Sequence, residues 1–216
     1  MRVPQSLAGD FKIKLPDLIR SAIGQPFLQL VRVLYIIDKQ LDVFYFQHSY
    51  LRRIQTGILM KVRFVVIGKT GAAYLQQGIA EYTDRLSRYC DLEVDVVADV
   101  RNRAVLPAEK LKIAESEQLL RKVNSGDFLV ILDENGKEFS SVDFAAVIEK
   151  WQVSGVARVV FMIGGAYGFG EDVYKRANLK MSLSRMTFSH QMVRLIFLEQ
   201  LYRAFTIIRK EPYHHS

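Results

Sequence analysis

The chain has 216 residues, of which 50% are hydrophobic and 25% charged, and its net charge is +7. This length suits one domain with an extension, or two very small domains, and the composition is that of a soluble globular protein with a core. The single cysteine, Cys90, excludes an internal disulfide and a multi-cysteine metal site, and it favours a reduced, cytoplasmic setting. No apolar run reaches the roughly 20 residues that span a membrane. The basic excess favours an anionic partner.

Residues 1–59 differ in pattern from the rest of the chain. They hold eight Lys/Arg against four Asp/Glu, so this extension carries +4 of the net charge. Their apolar stretches follow neither a helix period nor a strand period, and no signal-peptide cleavage site follows them. The plainest interpretation is translated leader sequence ahead of a native start at Met60. A membrane-lying amphipathic segment and a folded accessory domain remain open as alternatives.

From Met60 onward, short β-branched runs alternate with helical periods. Proline suits the first turn of a helix and serine suits an N-cap, which places two of the helix starts at Pro107 and at Ser140 or Ser141. This alternation predicts an α/β fold with a mostly parallel sheet. The predicted strands are 62–67, 92–97, 128–132, 159–163 and 179–183, and the predicted helices are 70–89, 107–123, 140–152 and 191–208.

The stretch from Val159 to Arg209 contains two predicted strands, each of which ends in an irregular loop. The strand 159–163 runs into four glycines within seven residues, and the strand 179–183 runs into the loop 184–188. Ligands of open α/β sheets bind at the carboxyl ends of strands, which predicts the site here. A basic cluster is predicted near this site, formed by Lys180, Arg185, Arg194, Arg203, Arg209 and Lys210. Glycines alone are also typical of a tight turn. Their spacing lacks the third glycine of a dinucleotide fingerprint, and Gly68-Lys69-Thr70 is no phosphate loop because Arg63 stands where that motif needs glycine.

Three segments carry a resemblance to a known family: IGGAYGF, SLSRMTFSHQMVRLIFLEQLYRAF and the terminal EPYHH. Together they resemble the bacterial RlmH family, SPOUT-class methyltransferases of ribosomal RNA, and the resemblance runs from Met60 to His215. It implies a SPOUT domain over residues 60–216 with a deep trefoil knot in its C-terminal part. Periodicity alone predicts an ordinary doubly wound sheet, since knots are almost absent among folds.

The resemblance also implies the cofactor, S-adenosylmethionine, and the residues that bind it. Carried over by motif, these are Leu132, Gly164 and the loop of Leu183, Ser184, Arg185, Met186, Thr187 and Phe188. Core packing is the alternative for Leu132 and Leu183. Methyl transfer depends on the placement of donor and acceptor, so we expect no metal.

The family's substrate is N3 of a pseudouridine in large-subunit (23S) ribosomal RNA, methylated on assembled ribosomes. Loss of the N3 proton needs an acceptor, and His190 either takes this proton or caps the final helix. Arg194 either holds a phosphate or pairs with a carboxylate. Tyr213 and His214 of the tail are expected to contact an unpaired base. These four residues, His190, Arg194, Tyr213 and His214, are the catalytic candidates.

The helix predicted over 191–208 is apolar on nearly all sides, and such a helix must be buried all round. We therefore expect a homodimer, as the resemblance also implies, together with the ribosome as partner and no membrane. Two other functions stay open. One is a knotted ribosome-binding module without catalysis, and the other is a SPOUT methyltransferase that acts on transfer RNA.

Overall fold

Five strands and five helices alternate along residues 60–213, the part of the chain that this computed structural model describes. The predictions for residues 1–59 and for His214 lie outside the described residues. The strands are β1 (Met60–Ile67), β2 (Cys90–Val97), β3 (Phe128–Glu138), β4 (Arg158–Ile163) and β5 (Leu179–Ser182). The helices are α1 (Ala73–Leu86), α2 (Ala108–Leu120), α3 (Ser141–Val153), α4 (Glu171–Arg176) and α5 (Met192–Ile208).

The strands form one sheet in the order β2-β1-β4-β3-β5, and every neighbouring pair is parallel. The predicted mostly parallel α/β sheet is therefore confirmed. Alternating residues of each inner strand enter two separate cores, which is why these strands read as continuous apolar runs. In β1, Phe64 packs with α1, α3 and α5 on one face, while Val65 packs with α2 and α4 on the other. The sheet is thus covered by helices on both faces.

The helix ends follow local sequence signals in two of the predicted places. Pro107 precedes the first residue of α2, and Ser140 caps α3 by accepting a hydrogen bond from the N–H of Asp143. The short helix α4 was not predicted, because its six residues carry too little period to detect. Among the described residues, no helix is long and apolar enough to cross a membrane.

The segment that follows Leu132 corrects a sequence prediction. The third strand is predicted to end at residue 132, but β3 continues to Glu138. Both Leu132 and Lys137 are register partners of Met181 in β5, so the register between the two strands shifts over the intervening residues. At Gly136, a Cβ atom would lie only 2.5 Å from the carbonyl carbon of Met181. Two stretches of backbone therefore pass each other where no side chain fits.

Helix α5 packs between α1 and α3, against the centre of the sheet. The ring of Phe197 lies 4.7 Å from that of Phe64 and 4.6 Å from that of Phe161, measured between centroids. None of the residues Met192–Ile208 is more than partly exposed. The all-round burial expected for this helix is therefore met in large part within the single chain.

Candidate functional site

A cavity of about 610 Å³ opens at the carboxyl ends of β3, β4 and β5. This volume lies within the about 300–1,000 Å³ typical of small-molecule sites. The cavity brings together seven of the eight residues predicted to bind a cofactor: Leu132, Gly164, Leu183, Ser184, Met186, Thr187 and Phe188. The eighth, Arg185, extends away and pairs with Glu138, with its Nε 3.0 Å from Oε1. Three strand exits that are distant in sequence thus form one site.

The glycine loop 164–170 is held in a tight reversal. Gly168 has φ of +74°, a conformation that favours glycine, and its N–H donates to the carbonyl of Gly165 at 3.1 Å. A Cβ atom on Gly164 would lie 2.9 Å from the carbonyl oxygen of Gly168. The need for glycine at position 164 therefore arises from the loop itself as well as from its place on the cavity wall.

Helix α2 fixes this loop from behind with two consecutive buried side chains that the sequence did not single out. The hydroxyl of Ser116 accepts the N–H of Gly170 at 2.7 Å, and the carboxyl group of Glu115 lies directly against Gly165. Glu115 is only 1% exposed, and burial raises its pKa. A helix more than 50 residues upstream thus shapes the cavity wall.

The second loop, after β5, is stabilised by serine side chains. Ser182 Oγ donates to the carbonyl of Ser184 at 2.9 Å, and Ser184 Oγ accepts the N–H of Met186 at 2.9 Å. Ser189 Oγ accepts the N–H of Met192, at 3.2 Å, where α5 begins. The hydroxyl of Ser189, rather than the imidazole of His190, therefore meets this N–H group of the first helical turn.

His190 lines the cavity and is partly buried. Burial lowers its pKa, the charges of Arg194 and Arg103 lower it further, and Asp99 opposes them. The imidazole is therefore neutral at pH 7 and can accept a proton.

Arg194 is 2% exposed and holds the carboxyl end of β1. Its Nη1 donates to the carbonyl of Gly68 at 2.8 Å and to Thr70 Oγ1 at 3.0 Å, while its Nη2 donates to the carbonyl of Ile67. Its Nε donates to the carbonyl of His190 at 3.0 Å. These donors fix the loop after β1 and the residue that lines the cavity. Neither a phosphate contact nor a carboxylate partner is needed to account for this burial.

The comparison with protein families matches the model "Predicted SPOUT methyltransferase" to residues 60–214. The chain belongs to the SPOUT methyltransferase family. The ribosomal RNA large subunit methyltransferase H of Parabacteroides distasonis is 51% identical over 157 residues, which are 73% of this chain and 100% of that protein. The protein of the same name from Christiangramia forsetii is 51% identical over 156 residues, 72% of this chain and 99% of that protein. The predicted resemblance is confirmed.

A solved structure, that of a probable methylase family protein from Haemophilus influenzae Rd KW20, gives a TM-score of 0.44 at 9% identity. That alignment covers 74% of this chain and 72% of the other.

The tail of this SPOUT chain returns to its own helices. The hydroxyl of Tyr213 lies 3.2 Å from both the hydroxyl of Tyr82 and Glu199 Oε1. Its ring meets that of Tyr202 edge-on at 4.8 Å, and the guanidinium of Arg203 lies 5.0 Å from its centre. Burial raises the pKa of Tyr213. Tyr213 does not line the cavity described above.

The sequence predicts a basic cluster near the site, but the cavity lining itself is acidic. It contains no Lys or Arg, and its acids are Asp133 and Glu134. The six residues of the predicted cluster, Lys180, Arg185, Arg194, Arg203, Arg209 and Lys210, all lie outside this lining, and Lys180 lines an adjoining cavity. The position of Asp133, directly after a predicted strand, was the available signal. Among residues 60–213, no group of three His, Cys, Asp or Glu could hold a metal ion.

The cavity fits S-adenosylmethionine in its chemistry. Leu183, Met186 and Phe188 offer apolar surface for an adenine ring, and the two loops offer backbone N–H and C=O groups for its edge. The acidic lining suits a ligand with a positive sulfonium group.

Proposed function

We propose that this protein transfers a methyl group from S-adenosylmethionine to N3 of a pseudouridine in large-subunit (23S) ribosomal RNA, on assembled ribosomes. Relatives named for large-subunit ribosomal RNA methylation, matched over essentially their whole length, support the substrate class. The single observation that carries the proposal is the cavity that gathers Leu132, Gly164 and the loop 183–188 beside His190.

The proposed roles of the chain's own residues follow from their positions. When bound, S-adenosylmethionine would supply an activated methyl group. Leu132, Gly164 and the loop 183–188 hold the donor in one orientation, which removes much of the entropic cost of reaction. His190 accepts the N3 proton, which becomes the second proton of its imidazolium, and its lowered pKa keeps it neutral before the reaction. Arg194 positions His190 through the backbone carbonyl of that residue.

We also propose the trefoil knot, with the chain after β5 threaded beneath residues 133–136. The shift in register between β3 and β5, in which Met181 is the partner of both Leu132 and Lys137, supports this. The close approach of Gly136 to Met181 supports it as well. Threading would place the loop 183–188 against the end of β3, where the cavity is.

A homodimer in the cytoplasm is proposed as the acting form. Several apolar residues of α5 are only partly buried in the single chain, which leaves surface for a second copy. Tyr213 and His214 would then serve the cavity of the partner subunit, because Tyr213 does not line its own. We further propose that residues 60–216 carry the activity without residues 1–59, since the family model spans residues 60–214 and a relative is matched over its whole length by 157 residues of this chain.

Two experiments test the proposal and separate it from its rivals. Calorimetry should detect binding of S-adenosylmethionine by the wild-type protein and a large loss of binding by Gly164→Val. The matched control is Gly126→Val, since a Cβ atom at Gly126 meets nothing within 4 Å.

Mass mapping of RNA after incubation with assembled ribosomes, free subunits or transfer RNA then identifies the substrate. Methylation of ribosomes alone is the expected result. Donor binding without methylation of any RNA would favour the non-catalytic module, and methylation of transfer RNA would favour the other enzyme.

A further inference from the structure

The cavity of this basic protein is acidic inside. The chain carries a net charge of +7, yet the cavity lining holds two carboxylates and neither Lys nor Arg. Glu134 is exposed, so solvent screens its charge, whereas Asp133 is partly buried at the end of β3. Of the two carboxylates in the lining, Asp133 is therefore the less screened, and Lys175 and Lys180 line an adjoining cavity that it shares.

Both carboxylate oxygens of Asp133 are fixed in place. Oδ2 accepts the hydroxyl of Tyr174 at 2.6 Å, and Oδ1 accepts the N–H of Asn135 at 2.9 Å. Hydrogen bonds of this kind hold a carboxylate in one rotamer. Each oxygen keeps further lone-pair capacity for a ligand.

Tyr174 is itself held by its surroundings. Its ring meets Phe169 of the glycine loop edge-on at 6.1 Å, and the ammonium of Lys180 lies 5.4 Å from the ring centre. Burial, together with the hydrogen bond to Asp133, raises the pKa of Tyr174 to about 12, so its hydroxyl remains a donor at neutral pH. The Asp133–Tyr174 pair thus links the end of β3 to the glycine loop and keeps a negative charge at the cavity wall.

The methyl donor and its product differ mainly in charge. S-adenosylmethionine carries a sulfonium, an ammonium and a carboxylate, for a net charge of +1, whereas S-adenosylhomocysteine has lost the sulfonium charge and is neutral. A fixed negative charge attracts the first and is nearly indifferent to the second. In a partly buried site this difference is larger than it would be in water.

We propose that Asp133, held by Tyr174, makes the cavity prefer the positively charged methyl donor to its neutral product. This inference rests on the proposed function and adds to it a residue that decides between donor and product. Once the methyl group has left, the ligand no longer has the charge that Asp133 attracts. Asp133 therefore favours exchange of spent product for fresh donor.

Calorimetric titrations with three ligands test the inference: S-adenosylmethionine, S-adenosylhomocysteine and sinefungin. In sinefungin an amine, protonated at neutral pH, replaces the methylsulfonium group and keeps the positive charge. Asp133→Asn should weaken the two cationic ligands about tenfold, or about 1.4 kcal/mol, and change the affinity for S-adenosylhomocysteine less than twofold. Tyr174→Phe keeps the charge but loosens the carboxylate, so it should weaken the cationic ligands by a smaller factor. Asp172→Asn is the control, since it removes the same charge outside the cavity lining.

The ratio of the affinities for donor and product separates this role from a structural one. An equal loss for all three ligands in Asp133→Asn and Tyr174→Phe would mean that the pair only shapes the cavity, and the inference would be wrong. An unchanged ratio with unchanged affinities would contradict it as well. If Asp133→Asn fails to fold, as judged by circular dichroism, the ratio in Tyr174→Phe decides. Absence of binding by the wild-type protein would instead overturn the proposed function, and with it this inference.

Discussion

Two groups of strand ends at the same edge of the parallel sheet differ in what occupies them. At the carboxyl end of β1, which we call the closed end, the guanidinium of Arg194 occupies the space and donates hydrogen bonds to the carbonyls of Ile67 and Gly68. At the ends of β3, β4 and β5, the glycine loop and the loop 183–188 leave a cavity of about 610 Å³. Both ends have the topology at which α/β proteins bind ligands. A strand end becomes a site only where the chain does not supply its own partner for the exposed backbone.

The first prediction concerns the open end of the sheet edge, where β3, β4 and β5 form the cavity. Gly136→Ala would place a methyl group 2.5 Å from the carbonyl carbon of Met181, where the backbone of β3 lies close to that of β5. Since neither segment can yield cheaply, we expect the free energy of unfolding to fall by more than about 4 kcal/mol. Urea unfolding measures this. The control is Gly126→Ala, which has no neighbour within 4 Å and should leave the free energy of unfolding nearly unchanged. Equal stabilities of the two variants would contradict the close approach of Gly136 to Met181.

The second prediction concerns the closed end, and it removes the guanidinium that occupies the end of β1. Arg194→Met should keep much of the apolar packing but leave buried carbonyls of Ile67 and Gly68 without a donor. We expect a loss of about 3 kcal/mol in the free energy of unfolding, because buried acceptors without partners are costly. Arg121→Met, at a side chain that is 74% exposed, should change stability by less than about 0.5 kcal/mol. A similarly small effect at Arg194 would show that water replaces the clamp.

The third prediction concerns the residue between the two ends. His190→Gln should lower the single-turnover rate of ribosome methylation about 100-fold, or about 2.7 kcal/mol, because it removes the proposed proton acceptor. Donor affinity measured by calorimetry should stay within about threefold of wild type, since the volume of the side chain is nearly kept.

The pH dependence of the same rate gives an independent check. A base acts in its neutral form, so the rate falls as the pH drops through the pKa of His190. Because burial and two arginines lower that pKa, the fall should have its midpoint below 6.5, the ordinary histidine value. The acid limb should vanish in His190→Gln. A limb that persists there would assign the proton acceptor to another group.

The fourth prediction asks whether Tyr213, in the C-terminal tail, takes part in the reaction. Tyr213 packs on Tyr202 and Arg203, away from its own cavity. If it stacks on a base at the partner subunit's cavity, Tyr213→Ala should lower ribosome methylation about tenfold, from the about 1–3 kcal/mol of a stacked base. Donor affinity should not change. Tyr74→Ala, at a ring that is 66% exposed, serves as control, and equal rates for the two variants would reduce the tail to packing.

Much of the candidate site could be predicted because it is written in local sequence. Apolar runs that end in Leu132, in Gly164 and in Leu183 mark three strand exits, and parallel strands bring their exits to one edge. The acidic lining escaped prediction for a different reason. Charges were weighed by their spacing along the chain, whereas the packing of the sheet turned Arg185 outward and kept Asp133 at the cavity wall.

The sequence by itself determined the alternation of strands and helices, the parallel sheet and the residues at the strand exits, because each depends on side-chain period and backbone freedom within a few residues. The tertiary structure alone decided which exit is open. The Arg194 clamp joins residues 126 apart, and the bond from Tyr174 to Asp133 joins residues 41 apart. The second pairing of β3 with Met181 likewise depends on a register shift that no local pattern encodes. Such contacts arise only when distant segments pack, and their energies depend on burial that the sequence does not specify.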